Sequence, residues 1–348
     1  VEVGGGVSPG GSMDRTARMV RDALVKHNLI PKASVVVNKD GGGQVVIPNG
    51  TFLSATLHIK SNVTLYLNEG AVLKGVADMK AYQRLYASNY AFIYSEKQDN
   101  IAILGRGVIH GQGEHKAFQG GSSHSGVKNR PNTIFLVDCN NVRLKDFTIR
   151  NGARWNMKLD LCHNVSMDGL SVFSRVVAND DGVDFDDCHD VRVSNCFFET
   201  GDDGICAKSY SSHGVKRLVI NNCIVSSFSN GIKLGAVSAG SFEDIAVSNC
   251  AIYDTRLSGI TLQNVDGSVM DRVTINNITM HNVNGGIFLK LGTRKKIGDK
   301  LAPPGAIRNV FISNVIADGV GCWLPDKTRP YYKEAYDSRI GVGLAGQP

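Results

Sequence analysis

A four-residue pattern of alternating polar and apolar positions returns along the chain. Asn62-Val63-Thr64-Leu65, Asn141-Val142-Arg143-Leu144, Asn164-Val165-Ser166-Met167 and Asp190-Val191-Arg192-Val193 are versions of one strand. Arg217-Leu218-Val219-Ile220, Asp244-Ile245-Ala246-Val247, Arg272-Val273-Thr274-Ile275 and Asn309-Val310-Phe311-Ile312 continue it. Period-two alternation marks a half-buried strand. Counted on the first apolar residue, positions 142, 165, 191, 218, 245 and 273 are 23, 26, 27, 27 and 28 residues apart. A period in the twenties with no helix between strands predicts a parallel β-solenoid. The Leu/Asn pattern of leucine-rich repeats is absent, and propeller blades need a longer period. One long helix is predicted, over 12–28: Ser12 is a candidate N-cap, Asp14 suits the first turn, and Ala17, Val20, Ala23 and Leu24 recur at helical spacing. The expected architecture is therefore all-β, one β-helix domain over 1–348 with a capping helix near its start.

Fixed offsets from that strand expose ladders. Four residues on stand Asn195, Asn222, Asn249, Asn277 and Asn314, a residue type that tolerates left-handed backbone and can bond its copy one coil above. Cys196, Cys223 and Cys250 follow them, and Cys139, Cys162 and Cys188 precede the strand by three residues. Stacking in register points to buried structural thiols rather than a metal site, and no C-x-x-C pair occurs.

A second strand in each coil begins Gly182-Val183, Gly204-Ile205, Gly231-Ile232, Gly259-Ile260 and Gly286-Ile287. The residue before each Gly reads Asp181, Asp203, Asn230, Ser258 and Gly285 up the stack. The second residue after it reads Asp184, Cys206, Lys233, Thr261 and Phe288, and the fourth reads Asp186, Lys208, Gly235, Gln263 and Lys290. Asp181 and Asp203 should thus lie on neighbouring rungs about 5 Å apart, with Asp202 beside them. At an effective dielectric of about 20 that closeness costs roughly 3 kcal/mol, or ~2 pKa units. One of the three carboxyls should keep its proton near neutral pH, the equipment of acid and base chemistry on a glycosidic bond. Asp-Gly pairs also form turns, an Asp ladder can bind Ca²⁺, and exposed carboxylates can simply be solvated.

Composition narrows the setting. The 348 residues are 42% hydrophobic and 20% charged, a globular balance. No apolar run reaches the ~18 residues of a membrane span, and no Lys/Arg run with interleaved aromatics suggests nucleic acid. A net charge of +6 suits an acidic partner as well as plain solubility.

The residues also resemble a family, glycoside hydrolase family 28, the polygalacturonase and rhamnogalacturonan hydrolase group. The likeness runs through Gly42 to Phe52, Asn62 to Leu73, Gly105 to Gly113, Arg130-Pro131, and Arg150-Asn151 through Trp155-Asn156. The family's Asn-Thr-Asp motif stands as Asn179-Asp180-Asp181, and its Asp-Asp motif as Asp202-Asp203, followed by Ile205 and Lys208-Ser209. The resemblance implies a right-handed β-helix and inverting hydrolysis of a pectin-like or related cell-wall polysaccharide. Asp202 would be the general acid, and Asp181 and Asp203 would activate water. It implies no metal or organic cofactor, a monomer, and secreted or periplasmic action. Asp337 to Pro348 resembles a segment leading into another coil, so further coils are expected beyond it.

Two motifs depart. The family's Gly-His-Gly stands as Ser229-Asn230-Gly231, and its Arg-Ile-Lys as Thr261-Leu262-Gln263. Because those basic residues bind galacturonate in polygalacturonases, ordinary endo-polygalacturonase activity is not expected. Candidate substrate contacts are Asn179, Lys208, His213, Asn230, Lys233, Gln263 and Lys290. Tyr210 is a candidate to stack on sugar rings, and Trp155 reads chiefly as core. A polysaccharide lyase using Lys208 or Lys233 as base, and a non-catalytic binding solenoid, are the competing functions.

Overall fold

The computed structural model describes residues 2–6, 35–39, 43–119, 129–294, 296–297, 300–301, 303–321 and 342–345. Three strands per coil build three stacked parallel sheets. The first sheet carries the repeated pattern. Val142 pairs with Val165, and the register continues through Val191, Leu218, Ile245 and Val273, each step the one counted from sequence, and then to Val310. A rung unmarked by the repeat count is Asn100 to Ile103, whose Ile101 pairs with Val142. It fits the pattern, but the 110–131 segment before the next coil hides its spacing.

The second sheet runs from Gly50–Ser54 through Thr148–Arg150, Ser171–Ser174 and Phe197–Thr200 to Ile224–Ser227. The third includes Ala91–Glu96, Asn132–Val137, Met157–Asp160, Val183–Asp186, Ile205–Ser209 and Ile232–Ser238. Phe242–Asn264 and Val269–Leu291 each pass through all three sheets. The result is a right-handed parallel β-helix, the hand favoured for parallel crossovers. Inward side chains form one continuous core from Val45 to Ile287; each fully buried large apolar side chain contributes about 1.5–3 kcal/mol.

The corners explain the polar ladders. Asn62, Asn100, Asn141, Asn164, Asp190, Arg217, Asp244, Arg272 and Asn309 all have φ between 50° and 60°. The Asn195 ladder turns the same way, and its amides bond along the stack, Asn277 Nδ2 to Asn249 Oδ1 at 3.1 Å. The stacked cysteines are buried and free.

Gly182, Gly204 and Gly231 have a different cause. A Cβ on each would meet the carbonyl oxygen of the glycine one coil on, at 2.4, 2.5 and 2.6 Å. Close packing, not a left-handed turn, requires glycine there. The helix expected over 12–28 lies outside the described residues.

On the outer face of the third sheet, Ala91, Tyr94, Phe135 and Val137 form a small apolar cluster with Leu85. One coil later the row turns polar: Phe135 pairs with Lys158, which pairs with Asp184.

Candidate active site

Backbone bonds confirm the stack at the turn from the second sheet to the third. Gly182 N donates to Asp203 O (2.8 Å), Gly204 N to Asn230 O (2.9 Å) and Gly231 N to Ser258 O (3.0 Å). Asp181 and Asp203 therefore face one site from neighbouring rungs. Asp202 is set by its carbonyl, which accepts from Thr200 Oγ1 (2.7 Å) and Ser227 Oγ (2.6 Å). Carboxylate oxygens of Asp181, Asp202 and Asp203 lie within 4.8 Å of one another. Asp181 and Asp203 are 3% and 2% exposed; Asp202 is half-buried.

The three differ in their partners. Asp203 Oδ1 accepts from Ser229 Oγ (2.7 Å), Asn230 N (3.1 Å) and Asn230 Nδ2 (2.8 Å), and its Oδ2 accepts from Lys233 Nζ (2.7 Å). Burial works to raise Asp203, but the charges of Lys233 and Lys208 and the bonds from Lys233 and Asn230 hold it well below the usual carboxylate range. Burial, then the charge of Asp203, pushes Asp202 up to about 6. Burial also pushes Asp181 up, helped by Asp184 and Asp202 and opposed by Lys208. Repulsion between rungs was legible in sequence; the larger cause, loss of water, was not.

Beside the carboxylates the outer face is a buried ionic lattice. Lys208 Nζ donates to Asp184 Oδ2 (2.6 Å) and Asp181 Oδ2 (3.4 Å), and Lys158 pairs with Asp186. Trp155 lies over it, with Lys158 Nζ at 5.0 Å and Lys208 Nζ at 5.4 Å from its ring centre and Arg154 stacked at 4.0 Å. Trp155 is half-buried at the site, not core. Tyr210 is 53% exposed, 5.5 Å from Lys158 Nζ.

The sequence model of the family described as glycosyl hydrolases family 28 matches residues 39–321. The chain belongs to this family. A probable polygalacturonase of Vitis vinifera is 26% identical over 64% of the chain, and the chain spans about half (50%) of that relative's length. An endo-polygalacturonase of Pectobacterium parmentieri is 25% identical over 76% of the chain and 72% of its own length. The solved exopolygalacturonase of Thermotoga maritima shares the fold, with TM-score 0.67 and 17% identity over 95% of this chain and 86% of that one.

In this family 28 chain three of the departing residues, Ser229, Asn230 and Thr261, form one connected set. Asn230 Oδ1 accepts from Thr261 Oγ1 (2.7 Å), which turns the amide so that Nδ2 reaches Asp203. Gln263 is half-buried one coil on, and Lys290, its partner in the next coil, is exposed. The fourth-position ladder is broken by a register shift between Ala207 and Ser209, so Lys208 does not pair with Gly235. Asn179 Oδ1 accepts from Arg130 Nη2 (3.2 Å), whose Nη1 donates to the carbonyls of Ala153 and Ala178. His213 is exposed beside His189, whose ring donates to its carbonyl (3.1 Å); among the described residues it makes no bond to the carboxylates. Lys158, Asp186 and Ser229 were missed. Coil counting back from Asp184 reaches Lys158, and counting on from Asp202 reaches Ser229, two residues before Gly231.

Proposed function

We propose that this chain hydrolyses O-glycosidic bonds of a pectin-like cell-wall polysaccharide, outside the cytoplasm. The observation that carries the reading is geometric: three carboxyls lie within 4.8 Å of one another, one of them, Asp203, tied by four hydrogen bonds and Asp202 tied by none on its side chain but the Asp203 N–H; Asp202 is accordingly pushed up to about 6 and Asp203 held down. Asp202 donates its proton to the leaving glycosidic oxygen as that bond to the anomeric carbon breaks. Asp181 and Asp203 line the water side, where water adds to the opposite face of the carbon and gives up a proton. One proton leaves Asp202 and one is gained from water, so the site is restored by exchange with solvent.

Carboxylate oxygens within 4.8 Å are closer than the ~6.5–9.5 Å common to inverting pairs. Inversion is nevertheless favoured, because Asp203 is tied by four hydrogen bonds and Asp181 is buried against Lys208. Neither is free to attack carbon, but both can hold water. A lyase is disfavoured: against burial, Asp184 and Asp181 hold Lys208, and Asp203 holds Lys233, above the ordinary lysine range, so neither amine is a ready base.

The substrate is expected to place a neutral sugar against half-buried Gln263, since Asn230 and Thr261 are buried and bonded to each other. Nearby lysines are engaged, Lys158 by Asp186, Lys208 by Asp184 and Lys233 by Asp203. The test is digestion of a panel of polygalacturonan, xylogalacturonan and rhamnogalacturonan, with the first-formed anomer read by proton NMR. New reducing ends of inverted configuration are expected. Retained configuration overturns the inverting mechanism, unsaturated products absorbing in the ultraviolet indicate a lyase, and no cleavage of any glycan supports binding alone.

A further inference from the structure

Asp181 and Asp203 occupy equivalent positions on successive rungs, yet their spare bonding capacity is opposite. An ionised carboxylate offers about four acceptor sites. Asp203 takes four donors, three on Oδ1 and Lys233 on Oδ2. Asp181 Oδ1 is buried with no hydrogen-bond partner, and its Oδ2 has only the 3.4 Å contact to Lys208. Asp203 is thus held at both oxygens, and Asp181 is not.

We propose that Asp203 is a fixed anion clamped by a positioning set of Lys233, Ser229, Asn230 and Thr261. Resting on the hydrolytic reading above, this assigns Lys233 and Asn230 to holding Asp203 rather than to contacting sugar. The set is built as a relay. Thr261 donates to Asn230 Oδ1, so the amide presents its donor to Asp203. Lys233 lies on the next strand of the third sheet, paired with Cys206 and Thr261 on either side, and reaches to Asp203 Oδ2. Asp203 in turn bonds Asp202 through its own backbone N–H, which donates to Asp202 Oδ1 (2.9 Å). The clamp thereby places an unchanging negative charge against the acid and keeps the proton on Asp202, where the leaving oxygen needs it.

Asp202 is the acid, and Asp203 acts through Asp202. Lys233 and the Asn230–Thr261 pair are positioning residues, and their loss should redistribute protons before it weakens binding. Burial strengthens the coupling, because charges that close interact several-fold more strongly away from water.

The experiment is a carboxyl-carbon NMR titration of the full chain labelled at aspartate, with Asp202→Asn and Asp203→Asn used to assign the signals. It needs no substrate, so its failure is distinct from failure of the hydrolytic reading. In the parent, Asp203 should stay ionised through the acidic range while Asp202 titrates near 6. Lys233→Met should bring Asp203 into the measurable range and spread one titration over both carboxyls. Thr261→Val should shift Asp203 the same way by a smaller amount, and Lys233→Arg should restore the parent titration. On the glycan cleaved fastest, Lys233→Met should lower kcat at least ~10-fold with KM changed less than ~2-fold. An unchanged Asp203 titration in both Lys233→Met and Thr261→Val overturns the proposal. So does a raised KM at constant kcat, the signature of a substrate contact. If Lys233→Met does not fold, Thr261→Val decides alone, because its methyl replaces only a hydroxyl.

Discussion

Two ion pairs of equal length join neighbouring coils in different sheets. Arg217 Nε meets Asp190 Oδ1 at 2.6 Å at a corner of the first sheet, with side chains 52% and 44% exposed. Lys208 Nζ meets Asp184 Oδ2 at 2.6 Å on the third sheet, with side chains 12% and 0% exposed. Each spans one rung. The first is solvated and worth about 0–1 kcal/mol. The second is one link in a lattice that includes Asp181, Lys158 and Asp186 and touches the proposed acid-base site. Distance does not separate structural charge from chemical charge here. The covering of the third sheet's outer face by Trp155 does.

The largest contrast should come from deleting one carboxylate in each region. Asp202→Asn should lower turnover about 10²–10⁴-fold, the usual worth of a general acid, with no fall in melting temperature. It removes a charge crowded by Asp203 while keeping the shape. Asp190→Asn should leave turnover at the parent level. Reducing-end assays and thermal melts on the two variants test this, and equal activity would break the comparison.

Deleting the cations instead should reverse the readout. Lys208→Met leaves Asp184 and Asp181 buried without their ammonium partner, a loss of about 3–5 kcal/mol. Urea unfolding should report it as a lower midpoint with unchanged slope. A loss under ~1 kcal/mol would mean that these carboxylates take up protons at little cost.

The pH dependence sharpens the same contrast within two adjacent residues. Asp202 has its folded pKa raised to about 6, so the folded state binds the extra proton between the unfolded value and 6. Its contribution therefore falls as pH rises through that window. Asp203 has its folded pKa lowered, so its contribution is present above the unfolded carboxylate value and is lost as pH falls below it. Activity should decline above pH ~6 as Asp202 loses its proton, and Asp203→Asn should move that decline downward by removing the charge that holds the proton on Asp202. Rate-pH profiles of parent and variant measure the shift; an upward move would contradict the assignment of Asp202 as acid.

Much of the architecture was legible because a solenoid repeats one decision. The steps from Val142 to Val273 give the register directly, and the same counting stacks Asp181 under Asp203 and Asn230. It fails where a coil departs from the period: at the bulge after Ala207, and at the Asn100 rung before the 110–131 segment. It also cannot see what covers a face. Trp155 reads as core from its setting in a strand-like segment, but its ring lies over Lys158 and Lys208. His213 follows Lys208 closely in sequence, yet the corner turns it to His189. Sequence spacing gives register along the coil, whereas cover and reach are properties of the folded surface.

The smallest effect should be at Arg217. Its guanidinium makes two bonds to Asp190, at 2.6 and 2.9 Å, the best geometry for an exposed pair. Its backbone also occupies the left-handed region at φ 55°, which disfavours any residue with a Cβ. Arg217→Met keeps that backbone cost and removes only the pair, so the expected loss is under about 1 kcal/mol. Arg217→Asn removes the pair but relieves the backbone, because Asn tolerates the left-handed region, and should come out near the parent. Raising salt should shrink the difference between parent and Arg217→Met, since screening acts on exposed charges, while leaving the larger Lys208→Met deficit in place. Equal salt sensitivity at both positions would show that water reaches the lattice under Trp155, and the contrast between the two faces would then lose its physical basis.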